Sequence, residues 1–155
     1  MKMAVLVVVA ALTVGMAAPA SANHGIKAKV TTGEFVTLQA GSDGGYTVEG
    51  RAIMVRILHM TFVLVRARGL DAATTYPTHV HNAECADPTF GGGHYQHNVG
   101  GNVNDVNEIW PFVTTNDNGR GKGFAWHRHR ARPEAMSIVI HHPDTLARLA
   151  CADLD

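Results

Sequence analysis

Residues 59–70 read HMTFVLVRARGL. Phe62, Leu64, Arg66 and Arg68 alternate with Val63, Val65 and Ala67, a period of two that ends at Gly69. Alternation of this kind places successive side chains on opposite faces of an extended chain, so the stretch predicts a strand in an antiparallel sheet. The same texture extends outward. KAKVTTGEFVTLQA (27–40) carries β-branched residues, GSDGG (41–45) supplies a turn, and YTVEGRAIMVRI (46–57) resumes the strand pattern. FVTTNDNGRGKGFAW (112–126) reads as two strands around an Asn-Gly turn. AMSIVIHH (135–142) is a further apolar strand, and LARLACADL (146–154) a last one. Between them Ala83–Asp105, rich in glycine and asparagine, forms a long loop, and long loops in compact domains are usually functional. No segment beyond residue 22 has a long helical period with caps. The expectation is an all-β domain, one sandwich or barrel.

The 155 residues suit one such domain. Residues 1–22 are set apart by Lys2, the apolar run AVLVVVAALTVGMAAPA and the small-residue site Ala20-Ser21-Ala22, the pattern of a cleaved secretory signal. The apolar run falls short of the ~20 residues that a membrane span needs. The lack of a nearby cysteine argues against a lipid anchor. The mature domain is therefore expected at 23–155, beginning at Asn23, in a secreted or periplasmic setting with no membrane attachment after cleavage.

With Lys2 removed from the 13 basic residues, 12 face 13 acidic ones, a balance that gives no reason to expect a nucleic-acid partner. The two cysteines, Cys85 and Cys151, are an even count in an exported chain and favour one disulfide over two reduced thiol ligands. Closing a loop of 66 residues stabilises the fold by roughly 4 kcal/mol on a chain-entropy account.

Ten histidines are the compositional anomaly. His79 and His81 are one residue apart, so on an extended segment both rings leave the same face. His94 follows three glycines, which allow close backbone approach and unusual dihedrals. His141 ends an apolar strand. Imidazoles from three separate segments, without paired thiolates, point to copper or catalytic zinc rather than to structural zinc.

GLDAATTYPTHVHNAEC (69–85), GGGHY (91–95), SIVIH (137–141) and ARLAC (147–151) follow one another in this order. The ordered set resembles the copper,zinc superoxide dismutase superfamily over about residues 45–152. That resemblance implies a Greek-key β-barrel. It also implies a copper ion held by His79, His81, His94 and His141, and a Cys85–Cys151 disulfide tying the metal loop to the last strand. Arg148 then matches the arginine beside copper that holds the anionic substrate, superoxide. Two departures stand out. NVGGNVNDVNEIWPFV (98–113) lacks the further histidines of a zinc site, and only six residues separate His141 from Arg148, where the family usually inserts a long charged loop. Both resemble the copper-only branch, in which zinc is not expected and a carboxylate orients the histidine that zinc would bridge. Glu108 is the candidate for that carboxylate and Asp105 the second choice.

The resemblance thus implies a monomeric, secreted, copper-dependent superoxide dismutase, converting superoxide to dioxygen and hydrogen peroxide. The competing reading is a non-enzymatic copper-binding protein for storage or delivery on the same fold; a metal-free interaction domain is disfavoured by the four matched histidines. The other histidines receive plainer expectations. His142 lies at the surface beside Pro143, His59 on a strand face and His24 in a mobile terminus. His97 sits too soon after His94 to match a zinc ligand. His127 and His129, alternating with Arg128, Arg130 and Arg132, are read as a solvated basic edge strand in preference to an accessory metal site or an anion-attracting rim. Ser42 and Ser137, the only serines beyond the signal, sit in no nucleophile-elbow motif. GGGH lacks the lysine of a phosphate loop.

Overall fold

The computed structural model describes residues 27–155, so the expected signal, the start at Asn23 and His24 lie outside the described residues. Ten strands and one short helix follow in the order β1 (Lys29–Glu34), β2 (Val36–Thr37), α1 (Gln39–Asp43), β3 (Glu49–Ile57), β4 (Met60–Arg68), β5 (Thr75–Tyr76), β6 (Thr78–His81), β7 (Val113–Thr115), β8 (Gly121–His127), β9 (Ser137–His141) and β10 (Arg148–Asp153). They form two antiparallel sheets, β1-β3-β4-β8-β7-β5 and β2-β10-β9-β6. Strand β4 neighbours β8 and not β5. The chain passes through β6 in the second sheet and a long loop before it returns, which is a Greek-key connection. The all-β sandwich expected from the alternation is the fold.

The alternation in 59–70 places Val63, Val65 and Ala67 in the core, with Ala52 and Met54 of β3 beside them. From the other sheet, Val80, Ile138, Ile140, Ala150 and Ala152 pack into the same cluster. A slip of one residue along β4 would exchange this face for Phe62, Leu64, Arg66 and Arg68. Each buried valine, isoleucine or methionine contributes roughly 1.5–3 kcal/mol, so the register is strongly specified.

Two local expectations are corrected. Residues 39–43 form the turn of helix α1, with no side-chain cap at Leu38, where the strand pattern was expected to run on to Ala40. Gly41 is the reason: a Cβ there would lie 2.3 Å from the Leu149 carbonyl oxygen, so the chain can turn against β10 only at a glycine. His59 is not on a strand face but occupies, with Leu58, the exposed two-residue turn between β3 and β4.

Strand β9 is buried on both faces. Ile138 and Ile140 enter the core, while Ser137, Val139 and His141 point the opposite way, under the loop that follows β6. The functional side chains gather on that covered outer face.

Candidate metal centre

Within the β6–β9 ladder His79 is paired with Val139 and His81 with Ser137. Directly opposed residues share a face, so both histidines stand with His141 on the outer side of the small sheet while Val80 faces the core. The loop brings His94 to the same place. His81 and His94 form an isolated antiparallel bridge, flanked by Tyr95 N–H to the Val80 carbonyl (2.8 Å) and Asn82 N–H to the Gly93 carbonyl (2.9 Å). The preceding glycines make that approach possible. Gly91 and Gly92 have φ of 105° and 70°. A Cβ on Gly92 would lie 2.5 Å from Asn82 Oδ1 and 2.8 Å from the Ala83 Cβ.

The four imidazoles His79, His81, His94 and His141 each offer a ring nitrogen within 4.8 Å of the others. Hydrogen bonds assign the nitrogens. His81 Nδ1 lies 3.3 Å from the Gly92 carbonyl and His141 Nδ1 3.0 Å from the Leu146 carbonyl. A carbonyl can only accept, so in each ring Nδ1 carries the proton and donates it. Their two Nε2 atoms face each other at 3.3 Å. In neutral rings both of these atoms bear lone pairs, an arrangement that a cation between them would stabilise. Protons are a poor substitute. Burial, reinforced by the charges of His94 and His141, pulls His81 down to about 2 and His79 to about 3, and burial also lowers His141. His79 Nδ1 is buried with no hydrogen-bond partner, a lone pair that a metal ion would satisfy.

His94 is held from behind. Its Nδ1 donates to Glu108 Oε2 at 2.7 Å, which leaves Nε2 free for a metal. Glu108 is only 1% exposed. Its Oε2 also accepts from Trp110 Nε1 (3.0 Å) and its Oε1 from Gln96 Nε2 (2.9 Å). Burial pushes the carboxyl up, but the bonds from Gln96, Trp110 and His94 outweigh it and hold Glu108 below its ordinary range. A Gln96–Glu108 bridge fixes the two backbones. Asp105, the second candidate, is exposed and makes no hydrogen bond or ion pair with His94, whose carboxylate partner is Glu108. Trp110, which clamps the carboxylate and meets the His79 ring edge-on at 5.7 Å, was not singled out from sequence. Its position two residues after Glu108 on an extended segment was the available signal.

Arg148 reaches the same face by a register shift. It pairs with His141, whereas Cys151 pairs with Val139, and a bulge between Arg148 and Ala150 absorbs the extra residue. Strict alternation would place positions 148 and 151 on opposite faces; the bulge puts both on the outer one. The guanidinium donates to the Phe90 (3.1 Å) and Gly92 (2.8 Å) carbonyls. Its charge is near enough to disfavour protonation of His81 and His141. Cys151 is joined to Cys85, and Cys85 N–H donates to Asp153 Oδ1 at 2.7 Å, so the loop that leads to His94 is tied to β10 twice.

Comparison with solved structures places this arrangement in a known architecture. The chain is similar to a Cu/Zn superoxide dismutase from Brucella abortus, with a TM-score of 0.58 and 20% sequence identity over 82% of this chain and 100% of that one. The fold is shared. No family model matches the chain, and no curated protein matches it. The four-histidine group is compatible with a metal site in this fold, and the disulfide suits an oxidising compartment.

The remaining histidines lie elsewhere. His142, half-buried, accepts the Asp144 (3.2 Å) and Thr145 (3.3 Å) N–H groups at Nδ1 and so shapes the turn into β10. His127 is not solvated: it pairs with Thr61 of β4 and its side chain is 7% exposed, although β7 reaches only Gly121 and Lys122 at the other end of β8. Its alternation with arginines reflected a strand whose inner face continues into the sandwich.

Proposed function

We propose that the chain is a secreted, copper-dependent superoxide dismutase that works without zinc, converting superoxide to dioxygen and hydrogen peroxide. The observation that carries this reading is the pair of His81 and His141 Nε2 atoms facing each other at 3.3 Å, with both Nδ1 atoms already donating to carbonyls. Together with His79 Nδ1 and His94 Nε2 they offer four imidazole nitrogen donors, a set suited to copper. Copper, once bound, supplies a one-electron acceptor for one superoxide and a one-electron donor for a second, which leaves as hydrogen peroxide after gaining two protons.

The protein's own groups supply the rest. Glu108 fixes the Nδ1–H tautomer of His94 and raises the basicity of Nε2, which also suits that atom to accept and release a proton. With Nδ1 committed to Glu108, His94 has no second nitrogen for a bridging zinc. Arg148 places a permanent positive charge beside His141 and His81, where it attracts and orients a small anion. A copper store needs the histidines but has no use for that charge. Phe112 and Trp110, stacked at 5.7 Å, flank the ring of His79 and restrict access from their side. Export with removal of residues 1–22 would deliver the chain to a compartment where the disulfide persists.

The deciding measurement is superoxide consumption by the copper-loaded mature protein, with metal content determined on the same sample. Stoichiometric copper with no consumption above that of the metal-free protein would leave a copper-binding protein and refute the enzyme.

A further inference from the structure

A second group of histidines lies outside the four-histidine centre. The His97 ring centroid is 5.2 Å from that of His127 and 4.8 Å from that of His129. His97 Nδ1 contacts the Tyr95 hydroxyl at 3.3 Å, whereas its Nε2 is shielded from solvent and has no hydrogen-bond partner. Either tautomer leaves that atom unsatisfied, as an N–H without an acceptor or a lone pair without a donor. We propose that His97, His127 and His129 form a second binding site for an imidazole-seeking divalent ion, Zn(II) or Cu(II), with His97 Nε2 as its innermost ligand.

Several observations converge on this site. A bound ion would select the Nδ1–H tautomer of His97, with the Tyr95 oxygen accepting, and would satisfy the orphaned Nε2. Burial, followed by the charges of its two neighbours and of Arg132, pulls His97 down to about 4, and burial likewise lowers His127. Both rings are therefore neutral and able to coordinate at physiological pH. His129 is exposed, so its ring is free to close onto an ion. His97 and His129 border a depression of about 400 Å³, shared with Asn98, Asn104, Val106 and Asn107, through which an ion and a completing water could reach them. On the loop above, Asp105 is near enough for its charge to favour a cation at His127.

The neighbouring arginines are occupied elsewhere. Arg132 donates to the His97 (2.7 Å) and Gln96 (3.0 Å) carbonyls, Arg130 to the Leu58 carbonyl (3.3 Å), and Arg128 lies over Trp126. Arg132 still opposes a cation at His97. The three do not offer one nitrogen each within 4.8 Å of one another, as the four of the first centre do, so the exposed His129 ring must turn inward to close the site. The second site is therefore the weaker of the two, and it does not depend on the first being an enzyme.

Titration of the full chain with Zn(II), after the first centre has been filled with Cu(II), tests it. The wild type is expected to take up one further equivalent. His129→Ala, an exposed change that leaves the core untouched, should weaken that uptake at least roughly 10-fold, and His97→Ala should abolish it. If Cu(II) fails to fill the first centre, the total metal bound still falls by one equivalent in His97→Ala. No uptake by the wild type, or equal uptake by wild type and His129→Ala, overturns the site.

Discussion

Arg148 stands opposite His141 in the β9–β10 ladder, on the same face as His79 and His81, only because a bulge follows it. Its guanidinium is held by the Phe90 and Gly92 carbonyls, and the Gly92 carbonyl also accepts from His81 Nδ1. Arginine, ligand and glycine turn are therefore one connected unit. Arg148→Ala removes no metal ligand and should retain copper, yet dismutate markedly more slowly. Arg148→Lys should recover part of the rate, since it restores charge but not the fork that spans two carbonyls. The rate should also fall with ionic strength in wild type more steeply than in Arg148→Ala. Equal rates and equal salt dependence in all three proteins would remove the arginine from the mechanism.

The buried histidines set an acid limit on stability. His79 and His81 refuse protons in the fold until about pH 3 and about pH 2, whereas in the unfolded chain they accept them near 6.5. Between these values the unfolded state binds more protons, so stability falls as pH falls below about 6.5 and the loss continues towards pH 3. Thermal melts of the metal-free protein from pH 7.5 to 4 should show a steadily declining Tm. Loading with copper should raise Tm across this range, because the metal binds the folded state, where His79 and His81 are already neutral and have no proton to release. A Tm independent of pH over this range would contradict neutral, buried imidazoles.

The loop that carries His94 should loosen without its staple. Cys85→Ser is expected to cost about 2–5 kcal/mol of stability, as loss of a native disulfide does in small secreted domains. Copper occupancy should fall with it, because the bridge restrains the segment between His81 and His94. The bond from Cys85 N–H to Asp153 survives the change, so the fold should persist with a weakened site. Intact-mass analysis with and without reductant should show the loss of two hydrogens in the native protein. Free alkylation of both cysteines before reduction would contradict the bridge.

Much of this molecule is legible in its sequence because alternation is a local signal. Val63, Val65 and Ala67 against Phe62, Leu64, Arg66 and Arg68 fix both a strand and its buried face. His79 and His81 share a face for the same reason. His141 and His142 are adjacent, so alternation alone could not choose between them; the family resemblance chooses His141, and His141 is the one that groups with His79, His81 and His94. Alternation misleads at Arg148 itself, where the bulge reverses the face. At His127 the alternating arginines suggested an edge strand, but burial there is decided by β4, dozens of residues away in the chain. The cluster of His97 with His127 and His129 is wholly tertiary, and no spacing announces it. Helix α1 was invisible because one uncapped turn has no period to read.

Glu108 gives the sharpest test of how His94 is held. Its Oε2 accepts from His94 and Trp110, and its Oε1 accepts from Gln96. In Glu108→Gln the amide oxygen can keep the two bonds at the Oε2 position. The new NH₂ then faces the Gln96 amide, which must flip and give up its bond from Gly100 N–H. The side chain is therefore accommodated, but the negative charge behind His94 is lost. Folding and copper binding should survive, while turnover falls by roughly 10–100-fold, the usual cost of removing a carboxylate that supports a ligand histidine. The loss should be largest at alkaline pH, where protons are scarce and a basic, well-oriented His94 matters most. Trp110→Phe, which keeps the charge and removes one of the three bonds, should show a smaller loss. Asp105→Asn should dismutate at the wild-type rate, since the carboxylate bonded to His94 is that of Glu108 and not Asp105. A defect in Asp105→Asn with none in Glu108→Gln would mean that the carboxylate seen on His94 Nδ1 is not the one that matters in turnover.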